Sequence, residues 1–136
     1  MQNIIVLKGE AGVGKSTTIK QILEQIFEIK IYRPKIRRDI VLSFKYKGKI
    51  IAILSLGDIE GMIIPYFEQL ANDGFDILIC ACRPTGKTYK FYKDKDDKVN
   101  YDVQFIPKTT PIDEEQDKII SDVKIILENL LAEKKK

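Results

Sequence analysis

A chain of 136 residues has the length of one domain, on a scale of roughly 100–200 residues each, so a two-domain enzyme is not expected. With 44% hydrophobic and 32% charged residues it has the composition of a globular chain, which excludes a disordered polymer. The 23 basic and 20 acidic residues leave +3, too near balance to mark a nucleic-acid or membrane surface.

The first run, Asn3 to Leu7, is continuously apolar and β-branched, as expected of a central parallel strand covered on both faces. It is too short for a secretory core, and no apolar run reaches the roughly 18 residues of a membrane span. A cytoplasmic protein with no membrane partner is expected. A glycine-rich turn follows. From Lys15, Ile19, Ile22, Leu23, Ile26 and Phe27 recur at helical spacing and predict a helix reaching about Glu28 or Ile29. After a basic link with Arg33, Pro34, Arg37 and Arg38, Ile40 to Tyr46 and Lys49 to Leu56 read as two strands joined by Lys47-Gly48, a hairpin.

Gly57-Asp58 ends that second strand, and Ile59 to Ala71 reads as a helix with an irregular start at Gly61 and Pro65. Asp76 to Cys82 is another dense apolar strand. Its Cys80 and Cys82 project to one face and are expected as small buried residues, neither disulfide-bonded nor metal-bound in a chain with no histidine. The lysine-rich segment Arg83 to Asn100 reads as a mobile loop or short helix. Tyr101 to Ile106 gives the last strand. Thr110-Pro111-Ile112-Asp113 opens a closing helix with Ile119, Ile120, Val123, Ile126, Leu127, Leu130 and Leu131 on one face. Strands alternating with helices predict a three-layer α/β domain, its sheet mainly parallel with the hairpin at an antiparallel edge.

The motif that carries chemistry is Gly9-Glu10-Ala11-Gly12-Val13-Gly14-Lys15-Ser16, a full G-x-x-x-x-G-K-[ST] between an apolar strand and an amphipathic helix. Its glycines let backbone N–H groups curl around a polyphosphate at the positive end of a helix. Lys15 can reach the β and γ oxygens, the Ser16 hydroxyl can ligate Mg²⁺, and Thr17 can add a hydroxyl near the α-phosphate. On these residues the chain resembles the P-loop NTPase superfamily, with Gly9 to Ser16 as its Walker A motif. The resemblance implies a P-loop NTPase-type sheet and ATP, or another nucleoside triphosphate, with Mg²⁺ as cofactor.

The family pattern also implies an acid at the end of a neighbouring apolar strand, holding the magnesium's water shell. Asp58, after Lys49 to Gly57, is the candidate, on the rim where open α/β sheets bind ligands. Glu60 is a candidate to orient an attacking water. A second Gly-Lys-Thr, within Ala81 to Thr88, lacks the first glycine and carries Pro84, which has no N–H. We expect Arg83, Thr85 and Lys87 to line the same rim, with Arg83 steadying phosphate charge in a transition state.

Three functions follow. Asp58-Ile59-Glu60-Gly61 matches the D-x-x-G of switch GTPases, but no threonine lies between Thr18 and Thr85 and no [NT]-K-x-D run is present, which favours adenine or a loose choice of base. A small nucleotide or metabolite kinase would use residues 83–98 as a lid and Arg33, Arg37 and Arg38 to hold an acceptor phosphate. An ATP-hydrolysing or ATP-sensing module would act on a protein partner. Stacking of nucleic acid on Tyr89, Phe91 and Tyr92 is set aside. The expectation is Mg²⁺-dependent ATP binding with hydrolysis or transfer of the γ-phosphoryl group. Lys15, Asp58 and Arg83 are the catalytic candidates, and Ser16 and Asp58 the metal-holding pair.

Overall fold

The computed structural model describes residues 2–10, 13–30, 40–55, 60–97, 99–110 and 112–132. In chain order they form β1 (Gln2–Lys8), α1 (Lys15–Gln25), β2 (Ile40–Tyr46), β3 (Lys49–Ser55), α2 (Glu60–Asp73), β4 (Ile77–Cys82), α3 (Lys87–Lys95), β5 (Tyr101–Pro107) and α4 (Asp113–Ala132). The five strands make one sheet in the order β2-β3-β4-β1-β5. All neighbours are parallel except β2 and β3, so the sheet is mainly parallel with an antiparallel hairpin at one edge. Lys47 and Gly48 turn that hairpin with φ of 52° and 82°, the left-handed pair that a two-residue loop between twisted strands requires.

Alternation along the strands divides the core. Ile5 and Leu7 of β1, Ile51 and Ile53 of β3, and Ile77 and Ile79 of β4 pack on one face with Ile19, Ile22 and Leu23 of α1 and Ile119, Val123 and Leu127 of α4. The intervening residues, such as Ile4, Val6, Leu54 and Leu78, meet Ile63, Phe67 and Leu70 of α2 and Tyr92 of α3 on the other face. A sheet buried from both sides explains why the central strands are apolar throughout instead of alternating. Cys80 and Cys82 are free thiols buried in the second of these clusters.

Two sequence expectations need correction, and a third is resolved. Helix α1 stops at Gln25, not near Glu28, because the chain turns at Glu28 (φ 59°) and the Ile29 N–H returns to the Leu23 carbonyl. Ile26, Phe27 and Ile29 still pack on the core, so the apolar stripe outlasts the helix. Of the two readings of the lysine-rich segment the short helix is the one that forms: α3 has nine residues, and its polar composition hides its anchors, since Tyr92 is wholly buried and Phe91 lies edge-on to Phe67. For the same reason Tyr92 is no surface for stacking bases. Finally, β4 lies between β1 and β3, so the strand leading to Asp58 is not the direct neighbour of the strand leading to the glycine loop.

Candidate functional site

Parallel strands bring their carboxyl ends to one rim, and the Gly9–Ser16 turn leaves β1 there. The ladder continues one step past β1 on both sides: the Gly9 N–H donates to the Cys82 carbonyl at 3.1 Å, and the Lys108 N–H donates to the Lys8 carbonyl at 2.8 Å. The start of the loop is therefore clamped between the ends of β4 and β5. A β-carbon at Gly9 would lie 2.1 Å from the Lys108 carbonyl oxygen, so only glycine fits.

The loop turns into α1 at Gly14, which has φ 87° and ψ 28° and stands at the N-cap. No side chain caps α1, and its first turn carries no acid. The backbone N–H groups at that end and the positive pole of the helix therefore face no carboxylate from α1 itself, which is the electrostatic requirement for an anion site. Thr18 fastens the turn from inside: its backbone N–H and its hydroxyl both donate to the Gly14 carbonyl at 2.9 Å, and the hydroxyl also faces Gln116 Oε1 of α4 at 3.4 Å.

Lys15 curls back over the loop. Its Nζ donates to the Gly9 carbonyl and, at 2.9 Å, to the Glu10 carbonyl. The Ser16 hydroxyl lies 3.1 Å from the hydroxyl of Ser55, the buried last residue of β3. A hydroxyl oxygen is a donor that a hard cation takes as one ligand among phosphate and water oxygens, so Ser16 is compatible with magnesium brought by a polyphosphate. Among the described residues no three histidine, cysteine or acidic side chains converge as a metal site.

Ala11, Gly12 and Asp58 lie outside the described residues, as do Arg33, Arg37 and Arg38. Gly9, Glu10, Val13, Gly14, Lys15, Ser16 and Thr17 form the strand–loop–helix junction expected of them, with Thr17 exposed. Arg83 follows β4 on the same rim, where its N–H donates to the Thr88 hydroxyl at 3.3 Å; Thr85 and Lys87 are exposed at the start of α3. Burial pushes the Cys82 thiol up to about 11 against the pull of Lys15 and Lys8, so at neutral pH it adds no negative charge beside the loop.

Four residues at this rim escape sequence reasoning: Ser55, Lys108, Glu115 and Gln116. Lys108 is fully buried, with its Nζ donating to the Thr110 carbonyl and to Glu115 Oε1 at 3.3 Å. Glu115 also accepts from the Thr109 hydroxyl and from the Thr109 and Thr110 N–H groups at 2.9 and 3.0 Å. These bonds, led by those from the Thr109 hydroxyl and the Thr110 N–H, hold its carboxyl down at about 2. The only sequence signal was an acid in the first turn of a helix, which ordinarily serves the macrodipole alone. Compared with protein-family models, with curated proteins and with solved structures, the chain shows no significant match.

Proposed function

We propose that the chain is a P-loop NTPase-like protein that binds ATP with Mg²⁺ through Gly9 to Ser16 and hydrolyses or transfers the γ-phosphoryl group. The observation that carries this reading is the junction at Gly14-Lys15: a left-handed glycine at the uncapped N-terminus of α1, followed at once by a lysine whose ammonium lies over the loop's own carbonyls. Backbone N–H groups there bind a polyphosphate tail and Lys15 moves to its terminal oxygens. Ser16 would hold a magnesium ion through its hydroxyl, and the ion would supply neutralisation of phosphate charge. Asp58 is proposed to hold the metal's water shell and Arg83 to stabilise developing charge. An acceptor molecule or protein partner completes the proposal, in the cytoplasm.

The packing of α3 weighs against residues 83–98 as a kinase lid, since burial of Tyr92 makes this helix part of the body of the domain. Titration calorimetry with ATP and Mg²⁺ tests the central claim. Saturable binding is expected for the wild type and none for Lys15→Ala; identical titrations of the two overturn the assignment. Turnover surviving in Asp58→Asn would remove Asp58 from the site. Free phosphate released at full rate without an acceptor identifies a hydrolase. ADP formed only when a nucleoside, nucleotide or sugar is added, with little free phosphate, identifies a kinase.

A further inference from the structure

We infer that Lys108, held by Glu115, is the positioning residue of the phosphate loop: a buried ammonium whose stem and backbone meet the loop at Gly9 and Gly14 and so set affinity for the polyphosphate tail. The inference rests on the proposed nucleotide reading and deepens it by naming what shapes the cradle.

A lysine with no exposed surface is uncommon, because its charge must be taken from water and compensated inside. Here the compensation is complete enough to be specific: the ammonium reaches the Thr110 carbonyl and the Glu115 carboxylate. The same carboxylate gathers the Thr109 and Thr110 N–H groups and the Thr109 hydroxyl, so the turn of residues 108–110 that follows β5 closes around one pair of charges. That turn touches the phosphate loop at both ends. The Lys108 carbonyl stands against Gly9, and its Cε lies 3.9 Å from where a β-carbon of Gly14 would sit. Its N–H bonds to Lys8, the residue before the loop. One side chain and its backbone thus span the loop from first glycine to last.

A simpler device would hold the turn as well. A leucine could fill the volume, and a glutamine could bond to Thr110. Ion pairing adds a constraint that packing alone lacks, because the buried ammonium must stay within reach of the Glu115 carboxylate and the Thr110 carbonyl to keep its charge compensated. Glu115 and Gln116 are consecutive on α4, and Gln116 faces Thr18, which holds the Gly14 carbonyl. Helix α4 therefore supports the loop at two adjacent points.

Lys108→Met keeps the stem and removes the ammonium; Glu115→Gln keeps the shape and removes the carboxylate. The measurements are amide hydrogen exchange at Gly9 to Ser16 without nucleotide, and calorimetric affinities for ATP, ADP and AMP. Expected are faster exchange across the loop and a loss of ATP affinity of about tenfold or more, shrinking in the order ATP, ADP, AMP, with Glu115→Gln following the same order. A merely structural role would lower the melting temperature and leave the order and the exchange unchanged, and that result overturns the inference. Should Lys108→Met fail to fold, Glu115→Gln decides alone. If the wild type binds none of the three nucleotides, the functional reading falls, whereas unaltered loop exchange in a folded variant sinks the positioning role by itself.

Discussion

The hydroxyl of Ser16, at the start of α1, lies 3.1 Å from that of Ser55, at the end of β3 and 39 residues later in the chain. Ser55 follows Ile51 and Ile53 in alternation onto the face of the sheet that α1 covers, so the contact ties the start of α1 to the end of a strand two places from β1. It places a neutral hydroxyl directly against the group proposed to meet magnesium.

That contact makes Ser55 a residue that orients Ser16 through a hydrogen bond worth about 1 kcal/mol, or roughly fivefold in affinity. Ser55→Ala is expected to weaken binding of ATP with Mg²⁺ by about that factor and to leave metal-free ATP unaffected. Equal losses with and without the metal would show that Ser55 acts on the loop as a whole. Calorimetry in magnesium and in EDTA separates the two.

Glycines of one loop are not equivalent. A methyl group at Gly9 meets the Lys108 carbonyl at 2.1 Å, and that carbonyl belongs to a residue whose N–H is already bonded to Lys8. At Gly14 the space is open, its nearest neighbour 3.9 Å away, and the difficulty is the φ of +87°, a conformation costing an ordinary residue about 1–2 kcal/mol. Gly9→Ala is therefore expected to lower the melting temperature further than Gly14→Ala and to abolish ATP binding. The reverse ranking in thermal unfolding would contradict the clamped geometry.

How far the sequence reached follows from the range of each signal. Strands and amphipathic helices announce themselves within a dozen residues, so β1, α1, the hairpin, β4 and α4 were all legible, and the glycine loop with them. Helix α3 was legible only as one of two readings, a loop or a short helix, since its burial rests on Tyr92 and on ring contacts with Phe67 of α2. Ser55 and Lys108 were silent because their partners stand on other elements. A serine closing an apolar strand and a lysine following one have no local pattern to distinguish them from solvated ends. The order of strands was equally out of reach: both arrangements of β3 and β4 beside β1 satisfy the same apolar runs.

The hydroxyl of Tyr92 is buried beside the Cys80 thiol and, among the described residues, meets no partner in full hydrogen-bond geometry, while the Cys80 thiol points to the Ile5 carbonyl at 3.7 Å. Burial pushes both groups well above their usual ranges, so both stay protonated and neutral. Removing a buried hydroxyl that lacks a full hydrogen bond regains its desolvation penalty. Tyr92→Phe is expected to stabilise the fold by about 1 kcal/mol and to raise the melting temperature by a few degrees. A fall in melting temperature would mean that the hydroxyl holds a partner in solution.

Acid should loosen two turns together. Asp97 accepts the N–H groups of Val99, Asn100 and Tyr101 at 2.8–3.0 Å and thereby joins the end of α3 to the start of β5. These bonds, with Tyr101 the strongest, hold its carboxyl at about 2 against an ordinary 3.8. Glu115 is held at about 2 against 4.5. A carboxyl whose folded value lies below its unfolded one contributes stability that is fully present above the unfolded value and lost as the pH falls towards the folded one. The melting temperature is therefore expected to be flat above about pH 5 and to drop between about 4.5 and 2, with both turns contributing. Asp97→Asn and Glu115→Gln should each lower it at neutral pH and make the acid limb shallower. Curves running parallel to the wild type through that window, measured by thermal unfolding at half-unit steps, would show that neither carboxylate is bonded as described.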